Sequence, residues 1–88
     1  MPLISQFYGI LVYMYREIGG HHNEPHIHIK YNEYETAMTF DGKILNGKIP
    51  KKQQKLVDAW IQIHQEELKV AWYTLNNDGE IIKIKGLE

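Results

Sequence analysis

Between Phe7 and Tyr15 the chain reads Phe-Tyr-Gly-Ile-Leu-Val-Tyr-Met-Tyr, with apolar or aromatic side chains at both parities. β-Branched and aromatic residues at this density predict a strand. The lack of polar alternation predicts that it is covered on both faces. Glu17 to Glu24 holds Gly19-Gly20 and polar residues ahead of Pro25, the composition of a loop. From His26 to Tyr31 the alternation is strict: His26, His28 and Lys30 fall on one face, Ile27, Ile29 and Tyr31 on the other. Tyr34 to Phe40 is the next strand. With Asn32-Glu33 as a two-residue connection, Tyr31 pairs with Tyr34, Ile29 with Thr36, Ile27 with Met38, His28 with Ala37 and His26 with Thr39. That register separates an apolar face from a polar face that carries the histidines.

Asp41-Gly42 is a turn signal, and Lys43 to Ile49 predicts a fourth strand. Pro50 stands where a helix accepts its first residue. Beyond it, Leu56, Trp60, Ile63, Leu68, Ala71, Trp72 and Leu75 follow a helical stripe with an offset near His64-Gln65. One helix of about 25 residues or two consecutive helices both satisfy this spacing. Asn76-Asn77-Asp78-Gly79 ends the helical pattern, and Ile82 and Ile84 against Lys83 and Lys85 predict a last short strand from Glu80 to Lys85. The expected fold is α+β: an antiparallel sheet of about four to five strands, in the order β-β-β-β-α-β, with a long helix or helix pair packed on one face. The helix covers Ile27, Ile29, Met38 and Phe40. The histidine face then points away from it, beside apolar side chains of the first strand, and an exposed patch of that kind marks a partner or oligomer interface.

Composition narrows the class. The 88 residues form one domain. A hydrophobic share of 43% with 24% charged residues belongs to a packed chain rather than a disordered one. Without cysteine there is no disulfide and no thiolate, which favours a reducing compartment. Met-Pro-Leu-Ile-Ser-Gln lacks the basic, apolar start of a secretion signal, and no apolar run is long enough to span a bilayer. The expected location is the cytoplasm. A formal net charge of −1 does not favour nucleic acid as a partner. Lys48, Lys51, Lys52 and Lys55 form a local basic cluster, read as a solvated helix start, with a phosphate-contact surface as the other reading.

The chemistry concentrates in His21-His22-Asn23-Glu24-Pro25-His26-Ile27-His28. His26 and His28, two apart on a strand, leave the same face. Pro25 holds the approach to that strand and keeps Glu24 extended. Imidazole is both the commonest metal ligand and the usual proton-transfer group near neutral pH. His22 from the loop would complete a three-histidine set with His26 and His28, suited to a divalent transition metal such as zinc. His26 and His28 could instead form an acid–base pair acting on a phosphodiester, as in metal-independent ribonucleases. The third reading is a polar stripe or interface lining that binds nothing. His64, on or beside the helical stripe, reads as a hydrogen-bonded core histidine, and Trp60 and Trp72 as core. Tyr13, Tyr15, Tyr31 and Tyr34 are candidates for stacking nucleic-acid bases on an open sheet face.

The opening Met1 to Tyr15, the segment His22-Asn23-Glu24-Pro25-His26-Ile27-His28 and the later Gly47-Lys48-Ile49-Pro50, Trp60, Ile63-His64 and Trp72 together resemble a family of small bacterial proteins, domain of unknown function 4160. The family pattern has proline where this chain has Glu24. The resemblance covers nearly the whole chain, and the histidine segment is its most specific part. It implies a small stand-alone protein, often encoded beside a second small protein of the family called domain of unknown function 2442, a layout similar to toxin–antitoxin pairs. Three functions follow as expectations. The first is a partner-binding component of such a two-gene system, working as a homo-oligomer or with that small cognate protein. The second is a small phosphodiesterase or ribonuclease-like enzyme using His26 and His28. The third is a metal-binding protein using His22, His26 and His28.

Overall fold

Tyr8 and Gly9 both take positive φ, 48° and 77°, and turn the apolar N-terminal segment back on itself. In the computed structural model, which describes residues 2–16 and 24–88, the segment read as one strand from Phe7 to Tyr15 is a hairpin. Strand β1 (Leu3–Phe7) pairs antiparallel with β2 (Ile10–Tyr13), and Phe7 opposes Ile10 across the turn. Left-handed backbone at both central positions matches the twist of the flanking strands, and glycine adopts it without steric cost. The apolar run therefore has no single parity because it passes through a turn. Phe7, Ile10, Val12 and Met14 are buried, while Tyr8 is exposed and Leu11, Tyr13 and Tyr15 are half-buried.

Strand β3 (His26–Tyr31) and β4 (Tyr34–Thr39) form the second hairpin in the register that the alternation predicts, from His26 opposite Thr39 to Tyr31 opposite Tyr34. Strand β5 (Ile44–Lys48) completes a five-stranded antiparallel meander in the order β1-β2-β3-β4-β5. The loop expected ahead of β3 falls, Glu24 apart, outside the described residues.

Two helices follow, α1 (Lys51–Ile63) and α2 (Gln65–Asp78). Pro50 precedes α1 rather than opening it; its ψ of 148° is extended, and its carbonyl accepts the first helical bond from the Gln54 N–H. The break falls at His64, whose φ of −108° and ψ of 29° depart from helical values. Bonds from the His64 N–H to the Trp60 carbonyl and from the Leu68 N–H to the His64 carbonyl bridge it. The inward stripe is Val57, Trp60 and Ile61 on α1 and Leu68, Ala71 and Leu75 on α2. Ile63, expected on that stripe, is 65% exposed: three residues past Trp60 and two past Ile61, it has turned off the covered face.

One apolar cluster joins Ile4, Phe7, Val12, Ile27, Ile29 and Met38 to the inward faces of both helices. The rings of Phe7 and Trp60 lie 5.5 Å apart, and Gln54 Nε2 sits 3.2 Å from Met38 Sδ. The sheet face of Ile27, Ile29 and Met38 is thus the one that the helices cover. The segment from Glu80 to Lys85, expected as a last strand, forms none. A single backbone bond ties it to the sheet, from the Ile84 N–H to the Ile4 carbonyl. It is held by side-chain burial instead, with Ile84 in the core and the Trp60 indole N–H donating to the Lys85 carbonyl at 2.9 Å.

Candidate functional site

Cross-strand partners in a sheet share a face. Tyr13 opposes His28, His28 opposes Ala37, and Ala37 opposes Asn46, so these four form one row on the face opposite Ile27 and Met38. The neighbouring row runs Leu11, Lys30, Glu35 and Lys48. Tyr15 continues the parity of Tyr13 past the end of β2. Its ring lies nearly parallel to that of Tyr13, 15° between planes with centroids 6.4 Å apart. It meets His28 edge-on at 4.7 Å. The His28 ring is 5.2 Å from that of His26, and His26 is 5.4 Å from the Trp72 indole of α2. Trp72 in turn meets Phe40 edge-on. A continuous aromatic run therefore crosses from β2 over β3 to the second helix.

His26 and His28 share a parity but not an environment. His26 is 4% exposed. Its Nδ1 is 2.9 Å from the Glu24 carbonyl oxygen; that oxygen only accepts, so Nδ1 carries the proton and donates. His28 is half-buried and lies beside Tyr15 at a cleft. The expectation that the whole histidine face points away from the helix is corrected for His26, because α2 brings Trp72 over the start of β3. His22, the third member of the expected metal set, lies outside the described residues. Among the described residues no three His, Cys, Asp or Glu side chains gather to hold a metal ion.

The cleft has a volume of about 120 Å³ and is bounded by Tyr13, Tyr15, His28, Lys30, Glu35 and Asn46. Ile29 and Thr36 complete its lining. Lys30 Nζ and a Glu35 carboxylate oxygen stand 3.6 Å apart, both largely exposed, an ion pair of about 1 kcal/mol or less. Burial first, then the Tyr13 phenol and the Glu35 carboxylate, push the Tyr15 phenol up, with Lys30 opposing. Tyr15 thus stays a neutral donor at physiological pH. Tyr31 and Tyr34 do not join this platform; Tyr31 has the parity of Ile27 and Ile29 and packs against the core.

His64 sits at the helix break, its ring 5.4 Å from that of Trp60 and its Nδ1 2.5 Å from a Glu67 carboxylate oxygen. It is largely buried and hydrogen-bonded, as the sequence suggests, but its partner is an exposed carboxylate in the first turn of α2. The sequence reading missed Glu35 and Asn46; extending the hairpin register to β5 would have found them, apart from the irregularity between Ala37 and Met38. It also missed exposed apolar side chains outside the inward stripe: Ile63, the last residue of α1, at 65%, and Val70 and Tyr73 of α2 at 56% and 67%, with Glu66 and Glu67 in the first turn of α2.

No helix among the described residues is long and apolar enough to cross a membrane. No curated protein and no solved structure matches the chain. The family model described as a domain of unknown function, DUF4160, matches residues 9–73, and the chain belongs to that family.

Proposed function

We propose that this chain is a partner-binding protein, the small component of a toxin–antitoxin-like two-gene system, acting in the cytoplasm. The observation that supports the reading is the outer face of α2. A helix that buries Leu68, Ala71 and Leu75 inward has no need of apolar side chains outward, yet Val70 and Tyr73 are exposed on it, and Ile63 is exposed at the end of α1. Apolar side chains grouped on a helix surface and rimmed by acids favour a docking site over chance exposure. The occupant proposed is the small cognate protein of the domain of unknown function 2442 type, presenting an apolar face with basic flanks to Glu66 and Glu67. Co-expression of the two chains and light scattering of the purified product tests this. A stable complex that Val70→Glu or Tyr73→Glu disrupts is expected. Homo-oligomers without the second protein would replace the partner with a second copy; a monomer in both preparations would overturn the reading.

A second reading, a small phosphodiesterase or ribonuclease-like enzyme, is favoured by one observation. The Glu24 carbonyl accepts from His26 Nδ1, which orients the ring, and the His28 ring stands 5.2 Å away on the same face. The same pair suits a metal such as zinc, with His22 as a further ligand. Purified protein with no bound transition metal and with activity unchanged in His28→Ala would discard both forms.

A further inference from the structure

We propose that the cleft between Tyr15 and Asn46 is a nucleobase-binding site, in which Tyr15 and His28 supply the aromatic wall and Asn46 and Glu35 read the edge of the base.

Three observations carry this. The first is shape. A cleft of about 120 Å³ takes a small planar group rather than a folded segment. The second is the wall. Two near-parallel phenols and an imidazole set edge-on to one of them form an aromatic surface, and stacking on such a surface accepts any flat heterocycle. The third is the mixture of polar groups at one mouth. The Asn46 amide both donates and accepts, Glu35 accepts and Lys30 donates. A simple anion would meet the Glu35 carboxylate, and an aliphatic ligand would desolvate Asn46 and Glu35 without replacing their water bonds. A base, with donors and acceptors alternating along its edge, satisfies all of them.

The adjoining row places Lys48 beyond Glu35 at the sheet edge, where a phosphate attached to the base can be met. The base reaches the cleft on a free nucleotide or on a single strand; the chemistry of the site is shared by both. The proposal does not rest on the docking face of α2, since every residue of the cleft belongs to the sheet or to the residues just after β2.

The test is amide-resolved NMR titration of the full chain with AMP, GMP, CMP and UMP separately, with a short single-stranded RNA, with the same RNA as a duplex, and with glucose. The expected result is shifts centred on Tyr13, Tyr15, His28 and Asn46. Affinity falls about tenfold or more in Tyr15→Ala, the size of a lost base–aromatic stack, and is kept in Tyr15→Phe. Asn46→Ala, on the exposed edge strand, keeps the fold and loses preference among the four bases. It decides the matter if Tyr15→Ala does not fold. Equal affinity for mononucleotide and strand identifies a free nucleotide as the source. Tighter binding of the strand, weakening with salt, identifies a single strand. No shift with any nucleotide or strand, equal binding of glucose or duplex, or affinity unchanged in a folded Tyr15→Ala protein would overturn the proposal.

Discussion

The His26 imidazole lies 5.4 Å from the Trp72 indole, centroid to centroid, and this one contact separates two histidines that the strand pattern makes equivalent. His26 is enclosed between α2 and His28, while His28 borders the cleft. Alanine at His26 opens a cavity and strands the Glu24 carbonyl, at a cost of about 2–3 kcal/mol. Alanine at His28 costs about 1 kcal/mol or less, as at a half-exposed position. Thermal denaturation checks the asymmetry, since each kcal/mol moves the midpoint of a domain this size by about 4–8 °C. Equal losses at the two positions would refute it.

The C-terminal segment acts as part of the core although it is no strand. Ending the chain at Lys83 removes Ile84 from the apolar cluster and the Lys85 carbonyl from the Trp60 indole. We expect a loss of about 2–4 kcal/mol from the lost burial and the orphaned N–H. Urea denaturation with Trp60 fluorescence measures it, and an unchanged midpoint would show the tail to be dispensable.

Gly47 has φ of +72°, and a Cβ built there would stand 2.2 Å from the Glu35 carbonyl oxygen. Alanine at this position combines a strained backbone with a backbone clash, so β5 must lift from β4. A destabilisation of about 1–3 kcal/mol is expected, with amide exchange faster in the β4–β5 ladder than in the β3–β4 ladder. Uniform loss of protection would point to global unfolding instead.

Acid stability has a local source in the turn after β4. The Thr39 hydroxyl donates to the Asp41 carboxylate, and this bond, first among the causes, holds the carboxyl below its ordinary range. A lowered folded pKa means that the unfolded chain binds the proton first. The contribution is therefore complete above about pH 4 and is lost as pH falls through the folded value. Thr39→Val should return the Asp41 carboxyl toward its usual range in a carbon-detected NMR titration. An unmoved titration would assign the shift to another cause.

At the alkaline end the sign reverses. Burial raises the Tyr15 phenol above its usual value of about 10. The folded state then keeps its proton longer than the unfolded chain, and stability declines as pH rises from about 10 toward the folded value. Tyrosinate absorbance should resolve one late-titrating phenol that is absent from Tyr15→Phe.

Local pattern alone determined the β3–β4 hairpin to the residue. Strict alternation from His26 to Tyr31 and a two-residue link leave one register that buries Ile27 against Met38, and any slip would turn every side chain to the wrong face. The offset near His64-Gln65 located the place where the helical stripe shifts but left one helix and two equally open. The membership of Ile27, Ile29, Met38, Phe40, Trp60 and Leu68 in the core was legible for the same reason: periodicity reports which face is covered. What periodicity does not report is which element covers the far end of a strand. The fates of His26 and His28 parted only because α2, re-aimed at His64, lays Trp72 across the start of β3. The turn at Tyr8-Gly9 hid inside an apolar run, since a hairpin that buries residues on both strands reads like one strand buried on both faces. The histidine cluster was visible from the start as the chain's chemical signature, but the cleft beside it exists only where Asn46 and Glu35, distant in sequence, are carried by the sheet to meet Tyr15.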